Sequence, residues 1–267
     1  MSGIGPAELL RRRVAGDPSR PLVTFYDDGT GERVELSAKT FDNWVAKTAN
    51  FLVDGLGAEP GTRVVLALPP HWQTAVWLMA CWSAGAIAEP SEPGEPITAS
   101  APYILAATEE VLDDALNDTG AEEIVGLSLH ALGGALADCP PGVEDYALEV
   151  RSYGDRFVPP TVVTPDDAAL TVTKATYSGA ELVRSAEAAA AKWELDAADR
   201  VLVDMPFTTL DGVLSGLLAP LASGASVIIQ RNSDKDSLKE RVRLEHVTAV
   251  AGVPGWNDAS GSVSRLL

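Results

Sequence analysis

The sequence predicts an α/β protein in which mainly parallel β-sheet carries helices on both faces. Short apolar runs that do not alternate with polar residues recur along the chain, as in residues 62–68 (TRVVLAL) and 200–205 (RVLVDM). Such runs are typical of strands buried on both faces. Segments with helical spacing of apolar residues separate them, as in residues 211–223. This repeated strand-then-helix order favours parallel sheet.

The first elements differ, because residues 21–26 (PLVTFY) and 32–36 (ERVEL) alternate between apolar and polar. The turn between them, DDGTG, is rich in residues that tolerate a positive φ, which predicts a β-hairpin. Ser37 is then expected to cap a helix that buries one apolar stripe.

A helix is expected at residues 71–84, where apolar residues occur on nearly every side. Such a helix should lie between two layers of the fold. Its Trp72, Trp77 and Trp82 could be interpreted as a ligand-stacking group, but helical spacing in a segment with almost no polar face favours core packing.

Apolar runs predict the remaining strands at residues 85–89, 102–106, 122–129, 168–172, 225–230 and 247–253. Apolar periodicity predicts the remaining helices at residues 6–14, 109–117, 180–193 and 236–245. Residues 130–155 are expected to form an exposed connection. We expect an N-terminal α/β lobe over residues 1–160, a second α/β lobe over residues 161–256, and a loose tail over residues 257–267.

Composition excludes several kinds of partner. The formal net charge is −18, with 38 acidic and 20 basic residues among 267, so the surface should repel nucleic acid and anionic membranes.

The beginning of the chain lacks the apolar core of a signal peptide, and no window is long and apolar enough to span a membrane. We therefore expect a cytoplasmic protein.

The chain offers no recognisable metal site or catalytic group. Its two cysteines, Cys81 and Cys139, and its three histidines are isolated, and Cys81 is expected to be a buried free thiol. His246 could act as a base but has no visible partner. Acidic pairs at 27–28, 109–110, 113–114, 122–123 and 166–167 fall on predicted turns or helix ends, where capping is the simpler interpretation.

The candidate binding site is the junction at residues 163–182, where a predicted strand leads through a small-residue turn into a helix. This arrangement points backbone N–H groups at a phosphate. The predicted ligand-binding residues are Thr173, Lys174, Thr176, Tyr177, Ser178 and Gly179. The turn holds one glycine and one lysine, so it marks the place of a nucleotide site without establishing that the site works.

The order of several short motifs resembles a known family. They are residues 36–41 (LSAKTF), 57–64 (GAEPGTRV) and 83–86 (SAGA), followed by 165–170 (PDDAAL), 199–229 and 249–254 (AVAGVP). In this order they resemble the large domain of the AMP-binding, adenylate-forming enzymes, which include acyl-CoA synthetases, luciferases and adenylation domains. The resemblance implies the two sheet lobes of that domain. It looks closest to a short actinobacterial group of unassigned activity.

The sequence departs from this family at the phosphate loop, for which the family has T-S-G-[ST]-T-G-x-P-K-G. Residues 173–182 read TKATYSGAEL, with Ala175 in place of the first glycine and no final Pro-Lys-Gly. Glu181 adds a negative charge that would repel a triphosphate. The family's later adenine, ribose and magnesium residues, and its small C-terminal domain with the catalytic lysine, have no counterpart in these 267 residues.

These departures leave three hypotheses open. The chain could be a non-catalytic, degenerate homologue of AMP-dependent ligases that still binds a nucleotide or an acyl group. It could be a reduced acyl-adenylate-forming ligase that a partner chain completes. It could instead be a structural or protein-interaction module with no small-molecule ligand, acting with a protein partner or as a homo-oligomer. The sequence assigns no catalytic residue, no metal ligand and no certain cofactor, and the resemblance implies ATP or AMP with Mg²⁺ if a nucleotide binds.

Overall fold

The computed structural model describes residues 3–117, 120–130, 133–258 and 261–267, without the side chains of residues 235–236. The strands are β1 Pro21–Asp27, β2 Glu32–Ser37, β3 Arg63–Ala67, β4 Ile87–Ser91, β5 Tyr103–Thr108, β6 Ala121–Leu127, β7 Glu144–Asp145, β8 Ala168–Val172, β9 Ala175–Ser178, β10 Arg200–Val203, β11 Ser226–Arg231, β12 Ala249–Ala251 and β13 Ser264–Arg265.

The α-helices are α1 Pro6–Gly16, α2 Ala38–Asn50, α3 Trp72–Ala84, α4 Leu112–Ala115, α5 Tyr146–Glu149, α6 Gly179–Lys192, α7 Leu210–Val213, α8 Ala219–Ser223 and α9 Lys235–Leu244. Wider turns extend α2 through Phe51–Gly55 and join α7 to α8 through Leu214–Leu218. No helix in the described part of the chain is long and apolar enough to cross a membrane.

Within the described residues the strands form two sheets. The first has the order β13-β12-β10-β11-β1-β2 and the second β7-β6-β5-β3-β4-β8-β9. Neighbouring strands are parallel except in two hairpins, β1–β2 and β8–β9. The predicted fold class, mainly parallel sheet with helices on both faces, is confirmed, as is the hairpin at β1–β2.

A helical layer lies between the two sheets. Helix α3 contacts β1 of the first sheet and β3 and β4 of the second, and Trp72, Trp77 and Trp82 are at most 3% exposed. The prediction that this helix is sandwiched, with its tryptophans in the core, is therefore confirmed. Ser37 caps α2 as expected, its Oγ accepting a hydrogen bond from the Thr40 N–H at 3.1 Å.

Smaller apolar clusters cover the outer faces of the sheets. Leu112 of α4 packs on β3 and β5 of the second sheet, together with Leu136 and Val143. On the first sheet, Leu238 and Val242 of α9 pack against β10, β11 and β12. The core is thus thickest between the sheets and thin on their outer faces.

The two sheets do not follow a boundary at residue 160. Strands β1 and β2 pair into the first sheet beside β11, whereas β8 and β9 extend the second sheet beyond β4. The expectation that residues 1–160 and 161–256 each carry their own sheet is therefore wrong. The reason is long-range pairing, such as the contact of Val23 with Val227, which local sequence patterns do not encode.

Three local expectations also need correction. The stretch 130–155 is not simply an exposed connection, because it contains β7 and α5 and buries Tyr146 and Val150 in the core. The described end of the tail, residues 261–267, is attached rather than loose, because β13 pairs in parallel with β12 and the Leu266 N–H donates to the carbonyl oxygen of Val250 at 2.9 Å. Residues 259–260 of the tail lie outside the described residues. The helix expected at residues 109–117 is reduced to one tight turn, Glu109–Val111, followed by the short α4. Residues 118–119 beside it, and Ala131 and Leu132 in the predicted connection, lie outside the described residues.

Candidate functional site

The predicted phosphate turn is a tight β-hairpin. Val172 ends β8 and Ala175 begins β9, and the two residues are paired across the turn. Thr173 and Lys174 form the whole turn, with φ of 49° and 65°. Two consecutive positive φ angles are the geometry of a two-residue hairpin of the mirror-image type. The expectation of an open turn over residues 173–179 is therefore wrong, since residues 175–178 form a strand.

Pairing between β8 and β9 explains why these residues are extended. Thr171 lies opposite Thr176, and their hydroxyl oxygens are 3.1 Å apart. Thr176 and Tyr177 are residue types that favour strands, and cross-strand pairs of this kind stabilise a sheet. The chain thus reverses within two residues, which leaves no glycine-rich segment at the turn to enclose a phosphate.

The N-terminus of α6 is capped by side chains of the helix itself. Ser178 caps the helix, and its Oγ accepts a hydrogen bond from the Glu181 N–H at 3.3 Å. In return the Glu181 carboxylate accepts from the Ser178 N–H at 2.8 Å and from the Ser178 hydroxyl at 2.9 Å. This reciprocal capping box satisfies two helix-terminal donors. The bonds from Ser178 lower the pKa of Glu181, which keeps a negative charge at the helix start.

The next two N–H groups also have partners. The Gly179 N–H donates to the carbonyl oxygen of Asp167 at 3.1 Å, and the Ala180 N–H donates to that of Pro165 at 2.6 Å. An anion at a helix N-terminus needs such donors to be free. At this terminus they are used within the protein, so the N-terminus of α6 offers little to a phosphate.

The six predicted ligand-binding residues fall into different environments. Thr173, Lys174 and Thr176 line a cavity of about 350 Å³ on the outer face of the second sheet. Tyr177 packs against the core between the sheets. Because successive residues of a strand point to opposite faces, β9 separates Thr176 from Tyr177.

Gly179 lines a different cavity, of about 470 Å³, formed by the segment before α1, the end of α3 and the loop around residues 159–165. A Cβ atom at Gly179 would come within 3.3 Å of the Pro165 carbonyl oxygen, so the helix start packs closely on that loop. The structure therefore does not bring the six predicted residues together around one space. Ligand binding by any of them stays a prediction.

Sequence reasoning missed two charged residues beside the hairpin. Arg63 of β3 and Glu89 of β4 form an ion pair and line the cavity that contains Lys174. Glu89 is 8% exposed. The available signal was a charged residue at the end of an otherwise apolar strand in TRVVLAL and in GAIAE, where burial of a charge requires a partner.

Three further sequence candidates, Asp27, Asp28 and Cys81, have structural roles. Asp27 accepts hydrogen bonds from the Gly29 N–H at 2.8 Å and from the Asn232 amide at 2.9 Å, and Asp28 pairs with Arg241. Cys81 is buried and free, as predicted, and burial raises the pKa of its thiol. No group of His, Cys, Asp and Glu side chains that could hold a metal ion occurs among the described residues.

His71, one of the isolated histidines, is buried at the start of α3. Its Nδ1 accepts a hydrogen bond from the Gln73 N–H at 3.1 Å, and its ring lies 4.2 Å from that of Phe25. Burial lowers the pKa of His71 to about 3, with a further contribution from the charge of Arg231. The side chain is therefore a neutral helix cap near neutral pH.

Comparison with known structures identifies the class of fold. The crystal structure of an acyl-CoA synthetase from Brucella canis superposes on 94% of this chain with a TM-score of 0.75, at 16% sequence identity. The chain spans about half of that protein, 48% of its length. The fold is therefore the α/β fold found in part of that acyl-CoA synthetase.

Sequence comparison then gives the family. The family model for AMP-binding enzymes matches residues 10–172. A TIGR03089 family protein of Mycobacterium tuberculosis is 40% identical over 242 residues, covering 91% of this chain and 96% of that protein. An acetyl-coenzyme A synthetase from Gamma-proteobacterium EBAC31A08 is 32% identical over 78 residues, which are 29% of this chain and 12% of that protein. The chain belongs to the AMP-binding enzyme family.

The family match ends just before the hairpin turn. It ends at Val172, the last residue of β8. The next two residues, Thr173 and Lys174, form the hairpin turn, so the match stops just before it.

Proposed function

We propose that this chain is a non-catalytic homologue of the AMP-dependent synthetases and ligases, one that does not form acyl adenylates by itself. The observation that carries the proposal is the two-residue hairpin at Thr173 and Lys174, in the segment where the sequence resemblance places the phosphate loop. The closed capping box at Ser178 and Glu181 supports it.

The physical reason is that the negative charge on the phosphates of ATP must be neutralised during the reaction. Transfer of an adenylyl group from ATP needs backbone donors and cations that neutralise negative charge as it develops on the phosphates. The N–H groups of residues 178–181 donate to oxygen atoms of this chain. The Glu181 carboxylate, at the helix start, would repel a phosphate anion.

The test is ATP–pyrophosphate exchange by the purified chain with Mg²⁺ and a panel of carboxylic acids that runs from acetate to long-chain fatty acids. We expect no exchange above a protein-free control, while an intact acyl-CoA synthetase in the same assay exchanges readily. Exchange that depends on one added carboxylic acid would overturn the proposal, because it would require adenylate formation without a glycine-rich loop.

A second candidate is a reduced ligase that a partner chain completes, favoured by the chain spanning 48% of the superposed acyl-CoA synthetase. Its test is the same exchange assay on the chain purified together with proteins that bind it in its native cells. Exchange by such a complex, and not by the isolated chain, would support this candidate over the first.

A further inference from the structure

The cavity that contains Lys174 lies on the outer face of the second sheet, across β3, β4 and the β8–β9 hairpin. Residues 63 and 65 of β3 share this face, and Glu89 of β4 lies beside Val65. Parallel strands covered on both faces normally present apolar side chains. Arg63 and Glu89 therefore depart from the pattern of the surrounding sheet.

The connection between β4 and β5 explains why the face is accessible. Parallel strands are usually joined through a helix that covers the sheet, yet residues 92–102, all of them described, contain no helix. Ile97 and Ala99 of this loop pack on the sheet, next to the cavity that they help to line. The loop covers less of the face than a helix would, which leaves a space of about 350 Å³.

The charge in this cavity is positive in an otherwise acidic protein. Arg63 pairs with Glu89 through Nη1, and its other guanidinium donors have no partner among the described residues. Lys174 also lacks an ion pair within the described part of the chain, and Glu89 is the single acid among the lining residues described. Two cations and one carboxylate therefore line this cavity, in a chain of net charge −18.

A neighbouring acidic cavity determines the side from which an anion would approach Arg63. A neighbouring cavity shares Arg63 and Ser100 but is lined by Glu59, Glu122 and Glu123. An anion would therefore approach Arg63 from the side of Lys174, away from those three carboxylates.

Hydroxyl groups complete the lining. They belong to Ser91, Thr98, Ser100, Thr171, Thr173 and Thr176. An arginine and a lysine supply the charge-assisted bonds that phosphate oxygens prefer, and hydroxyls can both donate to a ligand and accept from it. We propose that this cavity binds a small phosphorylated polyol, with its phosphate between Arg63 and Lys174. The proposal does not depend on whether the chain forms adenylates.

The experiment is a titration of the isotopically labelled chain with inorganic phosphate, glycerol 3-phosphate and glycerol, followed by the amide resonances of residues 171–176. Ionic strength is held constant with sodium chloride. We expect glycerol 3-phosphate to bind with a Kd of about 1 mM, phosphate to bind more weakly, and glycerol to leave the amides unchanged.

Three variants separate the cavity from general surface charge. Lys174→Gln should weaken binding of glycerol 3-phosphate about tenfold, because it removes a direct cation. Glu89→Gln should tighten it several-fold, since the amide can still accept a bond from Arg63 without repelling the ligand. Lys192→Gln is the matched control, because it removes an equally exposed lysine in the last turn of α6, and it should leave the affinity unchanged.

Several results would overturn the proposal. Unchanged amides of residues 171–176 at saturating glycerol 3-phosphate would exclude the site. An equal loss of affinity in Lys174→Gln and Lys192→Gln would mean that binding depends on the overall surface charge and not on this cavity. Phosphate binding without tighter binding of glycerol 3-phosphate would refute the polyol assignment. If Glu89→Gln fails to fold, the comparison of the two lysine variants still decides.

Discussion

Trp82 of α3 donates a hydrogen bond from its indole Nε1 to the carbonyl oxygen of Ala169 in β8, at 2.8 Å. The bond joins the central helix directly to the strand that leads into the hairpin. Both groups are buried, because Trp82 is 3% exposed and Ala169 is 7% exposed. A buried carbonyl that loses its donor keeps the cost of desolvation.

Replacing Trp82 with Phe should therefore destabilise the protein by about 1–3 kcal/mol beyond the effect of lost ring volume. Urea unfolding measures the change. Trp77→Phe is a suitable control, because Trp77 is a fully buried residue of the same helix whose Nε1 has no partner among the described residues. Equal losses in the two variants would mean that the bond to Ala169 contributes nothing.

Stability should depend on pH through His71. The folded pKa of His71 is about 3, below its ordinary value of 6.5, so the unfolded chain takes up a proton that the folded chain refuses. Stability is then lost as the pH falls below 6.5, by about 1.4 kcal/mol per pH unit until the folded group titrates. Unfolding measured between pH 6.5 and 5 gives the slope.

His71→Asn should flatten that slope, because asparagine also caps a helix but does not titrate. Its overall stability should be lower, since the contact with Phe25 is lost. A wild-type slope in His71→Asn would assign the pH dependence to other groups.

Backbone strain at Thr173 in the hairpin turn leads to a prediction about stability. Thr173 is a β-branched residue with φ of 49°, a conformation that asparagine tolerates far better. Thr173→Asn should therefore stabilise the protein by about 0.5–1 kcal/mol, as measured by urea unfolding. Ala175→Gly, in the adjoining strand, should instead destabilise it by a similar amount. Loss of stability in Thr173→Asn would contradict the two-residue turn.

The capping box can be tested at Ser178. Ser178→Ala removes the oxygen that accepts from the Glu181 N–H, and it should cost about 1 kcal/mol of unfolding free energy. Ser185→Ala, inside the same helix, should change stability by less than about 0.5 kcal/mol. If Ser178→Ala were equally neutral, the N-terminus of α6 would not depend on its cap.

Much of the fold can be predicted from local patterns. The β1–β2 hairpin has a turn rich in Asp and Gly, and α3 is apolar on nearly every side, so both follow from residue type and spacing. The allocation of strands to sheets cannot be predicted in this way. Val23 pairs with Val227 across some two hundred residues, and any apolar strand could fill that position.

The site was harder to predict for a different reason. Thr173 and Lys174 carry none of the Gly, Asn or Asp signal that usually marks a two-residue hairpin turn, so the local sequence predicts a longer turn here. The Ser178–Glu181 spacing does follow the capping-box pattern and could have been recognised. Arg63 and Glu89 lie on different strands, and their pairing depends on the sheet.

The interleaving of the two sheets has a consequence for synthesis on the ribosome. Strand β1 emerges early, but its parallel neighbour β11 begins only at Ser226. Until then the β1–β2 hairpin exposes an apolar edge that includes Val23 and Phe25. The second sheet, whose strands end at Ser178, can assemble first, so a nascent chain stalled near residue 200 should need a chaperone to protect that hairpin.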